Sequence, residues 1–176
     1  MTDRRRFLTA MGAGLIVVEA WPALADTPAF QISSLALYLP NQAMVERGPS
    51  AKDLIAYIDA LKDRANAILA QAQGRTGASG SLVVGLKPPA QSRLWVVMAD
   101  KSRKAEFVTL LKAPLEGVQG PTVVGLNAFA INFNAWGGAQ PPVSPTYPIP
   151  DEWLEVMRRG GGGMLPDSPM KAVWPD

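Results

Sequence analysis

Apolar and polar positions alternate with a period of two in several stretches of the chain, which is the pattern of a strand with one buried face. Residues 32–39 form the first of these stretches. Leu82, Val84 and Leu86 alternate in the next stretch, residues 94–98 form a second β-rich run, and Pro88-Pro89 lies in the turn between the two. Two β-rich runs on either side of a short proline turn are typical of a β-hairpin. The pattern therefore predicts one strand, followed later by a hairpin.

The longest extended segment covers residues 123–136, and its two faces differ in chemistry. One face is apolar, and the other carries small and amide side chains together with one indole. Amide groups offer both hydrogen-bond donors and acceptors, and an indole offers a stacking surface, so the second face suits a sugar or another polar ligand. An outer or tail-covered sheet face is the competing interpretation. The apolar face has Phe129, Ile131 and Phe133, and the polar face has Ala128, Ala130, Asn132, Asn134 and Trp136.

Helical periodicity appears in two places. From residue 54 to residue 72, apolar side chains recur at alternating spacings of four and three, which predicts a helix with one buried stripe. Ser50 is a suitable N-cap for that helix, and Gly74 is a suitable stop. A shorter helix is predicted after Ser102, ending before Pro114. A strand over residues 107–111 is the alternative to this second helix.

These elements follow one another as strand, helix, strand, strand, helix, strand. That order predicts an α+β domain over residues 26–138, namely a ferredoxin-like split βαβ sandwich in which an antiparallel sheet carries two helices on one face. In pattern, residues 80–136 resemble the C-terminal domain of TonB-type energy transducers. The resemblance implies a similar succession of hairpin, helix and strand, and it assigns no functional residue.

Residues 139–176 form a different kind of segment, a Pro/Gly-rich tail with eight prolines and the glycine run 160–163. Within it, residues 151–159 predict a short helix with acids in the first turn and arginines in the last. Trp153, Val156 and Met157 share one face of this helix. A helix this short is not stable alone in water. Its apolar face therefore either docks on its own domain or binds a partner protein.

The first 25 residues have the three parts of an export signal peptide: a basic start, an apolar stretch over residues 10–18 and a small-residue end at residues 23–25. Arg4, Arg5, Phe7 and Leu8 resemble the leader recognised by the bacterial twin-arginine translocase. The resemblance implies that the translocase is a partner during export and that the protein is periplasmic, with the general secretory route as the alternative. The apolar stretch is about half as long as a bilayer span, so no stable transmembrane anchor is expected.

The amino-acid composition excludes several kinds of binding and catalytic site. The chain has no Cys and no His, which excludes disulfides, zinc sites with Cys or His ligands, iron-sulfur clusters and nucleophile pairs that use His. We therefore expect no cofactor and no metal. From residue 26 onward there are 14 basic and 13 acidic residues, so the near-neutral domain has no electrostatic footprint for nucleic acid.

Three functions fit these observations. The first is a non-enzymatic periplasmic binding or adaptor module, with a polar small molecule bound near Asn132, Asn134 and Trp136, or an envelope protein bound through the Trp153 helix. The second is an accessory subunit that is exported together with a cofactor-bearing enzyme. The third is a small carboxylate-dependent hydrolase using Asp59 and Asp63, which lie four residues apart on the long helix.

Overall fold

The structure is a computed structural model that describes residues 28–138, 147–160 and 165–175. The predicted export signal, including Arg4, Arg5, Phe7 and Leu8, lies outside the described residues, and so does the start of the tail. Export therefore stays a prediction. No helix within the described ranges is long and apolar enough to cross a membrane.

A four-stranded antiparallel sheet is the centre of the fold, and its strands are β1 Phe30–Leu37, β2 Ala78–Lys87, β3 Gln91–Met98 and β4 Asn127–Ala135. They pair in the order β1-β4-β2-β3, so β1 and β3 are the edges. The α+β class and the β2–β3 hairpin are confirmed. The strand order is not the usual one for a ferredoxin-like sandwich, so that arrangement is not confirmed.

The helices of the described residues are α1 Asn41–Arg47, α2 Ala51–Leu69, α3 Lys104–Phe107, α4 Ala113–Glu116, α5 Asp151–Gly160 and α6 Asp167–Val173. The helix α2 begins where the sequence predicts, because the Ser50 hydroxyl accepts a hydrogen bond from the Asp53 N–H at 3.1 Å. Its buried face includes Ile58, Leu61 and Ala65. This is the apolar stripe expected from the spacing.

The second helical segment differs from the prediction at both ends. Asp100 is the cap, since its carboxylate accepts from the Ser102 N–H at 2.9 Å. The segment then continues past Pro114 into α4, through a π-helical turn at Val108–Lys112. A proline ring clashes with the carbonyl four residues earlier in an α-helix, and a wider π turn relieves that clash. The strand alternative for residues 107–111 is therefore wrong.

The main hydrophobic core lies between one face of the sheet and the helices α2, α3 and α4. Its sheet side comes from alternate positions of β2, β3 and β4, because side chains on a strand alternate between faces. The largest fully buried side chains of this core include Phe30, Leu61, Leu82, Phe107, Phe129 and Phe133. The two helices predicted on one face are therefore present there.

The opposite face of the sheet is also covered, which matches the tail-covered alternative for the polar face. The helices α5 and α6 pack on it and build a second, smaller core. Trp153 of α5 and Met170 of α6 are fully buried in that core against Val83 and Ala128. The helix predicted at residues 151–159 is thus α5, and it docks on the sheet of its own chain.

Candidate functional site

Asn132 lies in the middle of the polar sheet face, between Ser34 on β1 and Ser81 on β2. Its Nδ2 donates to the Ser34 hydroxyl at 2.8 Å, and its Oδ1 accepts from the Ser81 hydroxyl at 2.6 Å. The three side chains form a hydrogen-bonded row across three strands. One Nδ2 hydrogen and one lone pair of Oδ1 are left for any ligand.

Asn134 lies in the next row of the same face, opposite Gln31 on β1 and Ser79 on β2. It is only 7% exposed. Its Oδ1 has no hydrogen-bond partner among the described residues. A buried acceptor without a partner costs about 1–3 kcal/mol, so this oxygen is the strongest point of the predicted amide site.

Trp136 does not share a face with the two asparagines, so this part of the prediction is wrong. Its φ angle is +49°, a left-handed conformation that breaks the alternation of side chains at the end of β4. The indole therefore lies on the face covered by α2 and α3, where its Nε1 donates to the carbonyl of Leu69 at 3.1 Å. The ring centroid is 5.5 Å from that of Phe107. The structure brings Asn132 and Asn134 together without the stacking surface.

The predicted partner-binding face of α5 is turned towards its own domain. Trp153 is 0% exposed and meets Trp95 and Tyr38 edge to face, with ring centroids 5.2 and 5.6 Å away. Val156 and Met157 are half-buried. The docking matches the own-domain alternative, whereas partner binding through this helix stays a prediction.

No pattern in the sequence indicates a cleft that lies at one end of the sheet. It has a volume of about 460 Å³ and is bordered by the β2–β3 turn, the residue before β4 and the end of α6. A recess of about 300 Å³ shares Leu126 and Lys171 with it, so the two spaces adjoin. Among the described residues, the cleft is lined by Lys87, Pro88, Leu126, Lys171, Trp174 and Pro175, and the recess adds Arg47, Val124, Gly125 and Asp167.

Ionic and polar contacts fix α6 as one wall of the cleft. Near its C-terminal end, Lys87 Nζ donates to the Pro175 carbonyl at 3.1 Å and Arg93 donates to the Val173 carbonyl at 2.8 Å. Cations at this end satisfy open carbonyls and offset the negative end of the helix dipole. At the other end, Arg47 pairs with Asp167 at 3.0 Å. The wall is therefore held from both ends.

The acidic pair proposed for hydrolysis has an ordinary surface environment. Asp59 is an exposed partner of Lys62, with 2.6 Å between Oδ1 and Nζ. The hydrogen bond from Lys62 to this carboxylate raises the pKa of the lysine. No group of acidic side chains in the described part of the chain could hold a metal ion. The Asp59 carboxylate thus belongs to an exposed surface ion pair.

Comparison with known proteins adds no assignment: no protein-family model, no curated protein and no solved structure matches this chain. The TonB-like pattern and the twin-arginine-like leader therefore stay resemblances in pattern. The surfaces described above are the basis for a functional proposal.

Proposed function

We propose that this protein is a non-enzymatic ligand-binding module, exported to the periplasm, whose ligand occupies the cleft beside α6. The observation that carries the proposal is the combination of volume and lining. About 460 Å³ is within the usual range of small-molecule sites, which are mostly apolar with a few polar groups. Here Leu126 and Trp174 supply the apolar walls, and two lysines supply the polar groups.

The cleft supports binding better than the surfaces predicted from sequence. The amide of Asn132 is engaged by two serines, and Trp136 lies on the other side of the sheet. Trp153 is buried against its own domain. The proposed export rests on the leader-like residues at the start of the chain. A co-exported accessory subunit would use the same leader, but no described surface favours that role.

Filling the cleft tests the proposal. The full chain is screened against a mixture of small aromatic and aliphatic compounds by ligand-observed NMR. Leu126→Trp places an indole in the cleft and should abolish the signals of the compounds that bind. Leu154→Trp is the matched control, since it adds the same ring at a position of α5 that is 36% exposed. This control should keep all binders.

A second variant keeps the test valid if Leu126→Trp fails to fold. Trp174→Ala removes one wall without adding volume, and it should weaken the same compounds. Far-UV circular dichroism checks that each variant is folded. Undiminished binding by both folded cleft variants, or an absence of binders to the wild-type chain, would refute the proposed site.

A further inference from the structure

The two edge strands of the sheet differ in how they are protected. The β3 edge is covered by α4, whose Glu116 carboxylate accepts a hydrogen bond from the Leu94 N–H at 3.1 Å. The other edge strand, β1, has no charged residue and no proline between Phe30 and Leu37. Natural sheets protect their edges with charges, prolines, bulges or covering elements, because an open edge pairs with other strands. The β1 edge is therefore the one suited to a partner.

The open backbone groups of β1 lie in its C-terminal half. Residues of an edge strand direct their N–H and C=O groups alternately towards the neighbouring strand and away from it. The Tyr38 N–H donates to the Ala128 carbonyl at 3.2 Å, so Tyr38 is directed towards β4. Leu37 and Leu35 are therefore directed outwards. Within the described ranges, no hydrogen bond outside the sheet ladder reaches the backbone groups of these two residues.

The N-terminal half of the same edge is closed. The side chain of Asn66 bonds both the N–H and the C=O of Phe30, at 2.8 and 3.0 Å. The register then shifts between Ile32 and Ser34, and such a bulge bends the strand. Only residues 35–37 are left for regular pairing, and so short a strand pair is not stable alone. A partner at this edge must therefore add contacts beyond the strand.

An exposed apolar side chain of α2 lies beside the open half of β1. Only residues 38–50 separate the two elements, and Asn66 contacts Phe30, so α2 returns along β1. Ile55 lies eleven residues before Asn66, which is about three turns and about 16 Å, so it faces the same side. Leu35 lies about 16 Å along the strand from Phe30. Ile55 and Leu35 are thus neighbours, and they are 61% and 48% exposed.

Opposite charges flank Ile55 on the same face of α2. Lys52 lies three residues before it and Asp59 four residues after it, and both are exposed. A two-fold axis through Leu35 sets two α2 helices side by side and antiparallel. Lys52 of each copy then lies opposite Asp59 of the other. The edge is therefore complementary to a second copy of itself, both in its strand and in its charges.

We propose that this chain forms a two-fold homodimer in which the open half of β1 pairs antiparallel with its counterpart. The two four-stranded sheets then join into one sheet of eight strands. Leu35 and Ile55 of both copies lie at the centre of the interface. The proposal does not depend on the ligand site proposed above.

Sedimentation velocity of the full chain from about 1 to about 300 μM tests the dimer, since a small interface gives a weak complex. We expect the average mass to rise from one chain towards two. Leu35→Lys places a charge at the centre and should hold the mass at one chain. Val124→Lys is the matched control, since it adds the same charge at an 80% exposed position outside β1 and α2, and it should dimerise like the wild type. Ile55→Lys replaces Leu35→Lys if that variant fails to fold.

A charge exchange tests the two-fold arrangement. Lys52→Glu and Asp59→Lys should each weaken dimerisation about fivefold, because each sets like charges opposite each other at two symmetric contacts. The double variant restores opposite charges and should recover the dimerisation of the wild type. A double variant that is no better than either single one would contradict the arrangement of the helices.

Hydrogen exchange identifies the strand that pairs. The amides of Leu35 and Leu37 should exchange more slowly at high protein concentration than at low, whereas those of Ser34 and Ala36, which are directed towards β4, should not change. A chain that stays monomeric at every concentration would overturn the proposal and leave the edge to a strand of another protein. A dimer that neither Leu35→Lys nor Ile55→Lys weakens would use another surface, and that result would overturn it as well.

Discussion

Removing the indole of Trp153 is the sharpest test of the second sheet face. The side chain is fully buried between Tyr38 and Trp95, so Trp153→Ala would leave a large cavity under α5. A buried tryptophan removes about 200 Å² from water, which corresponds to about 5 kcal/mol. Measured Trp→Ala changes in cores cost about 3–5 kcal/mol. We therefore expect the free energy of unfolding to fall by about 3–5 kcal/mol.

Urea unfolding followed by far-UV circular dichroism measures this loss, because the other tryptophans of the chain make fluorescence hard to assign. Leu154→Ala is the control: it lies on the same helix, is 36% exposed, and should cost at most about 0.5 kcal/mol. If α5 were a detachable partner-binding peptide, Trp153→Ala would cost as little as the control. A loss below about 1 kcal/mol would refute the packing argument.

Trp153→Phe separates the effect of lost apolar contact from the effect of the buried polar group at the same position. The Nε1 of Trp153 has no hydrogen-bond partner among the described residues. Trp153→Phe deletes this buried donor, whose burial without a partner costs about 1–3 kcal/mol, and it also loses some apolar contact. The two effects oppose each other. We expect a net change within about 1 kcal/mol, far smaller than that of the alanine variant.

Two further predictions concern an edge strand and a pair of buried phenols. Asn66 bonds both the N–H and the C=O of Phe30, at 2.8 and 3.0 Å, so Asn66→Ala should cost about 1–2 kcal/mol and speed hydrogen exchange of the Phe30 amide, while Asn41→Ala should not. Burial raises the pKa of both Tyr38 and Tyr57 above the ordinary value of about 10. Both phenols ionise at a higher pH in the folded chain than in the unfolded chain, so the free energy of unfolding falls as the pH rises above about 10, by at most about 1.4 kcal/mol per pH unit for each phenol. Tyr38→Phe should make that fall shallower in urea unfolding from pH 8 to 11.5, and a flat profile for the wild type would contradict the prediction.

Elements with local signals were predictable from the sequence. The helix α2 has a cap at Ser50 and an apolar stripe of one period, and both features act within a few residues. The β2–β3 hairpin follows in the same way from an alternating run, a second β-rich run and a proline turn between them. In these segments, local preference and tertiary packing agree.

The misplaced residues depend on backbone details that a pattern does not contain. Alternation assumes an extended backbone, and the positive φ angle of Trp136 moves its indole to the other face. Proline rules end a helix before Pro114, yet a π turn carries the segment through to Glu116. In both places packing in the core determines the backbone conformation. Trp136 packs on Phe107, and Leu115 is fully buried beyond the proline.

The cleft was missed for a different reason. Its lining comes from the end of β2, the residue before β4 and the end of α6, which are far apart in sequence. No motif joins Lys87, Leu126 and Trp174, and only docking of α6 on the sheet brings them together. Lys171 and Trp174, one turn apart near the end of the chain, are the single local sign of this surface.

Stability and the proposed ligand site share one structural element. The helix α6 contributes Met170 to the second core, and its Lys171 and C-cap Trp174 line the cleft, so the helix that covers one face of the sheet also builds the site. With seven residues, α6 is too short to persist without its docking contacts. Any ligand that requires this wall binds the docked state alone and therefore stabilises it by mass action. Docking of α6 on the sheet is thus coupled to ligand binding in the cleft. Binding should therefore protect the amides of α6 from hydrogen exchange.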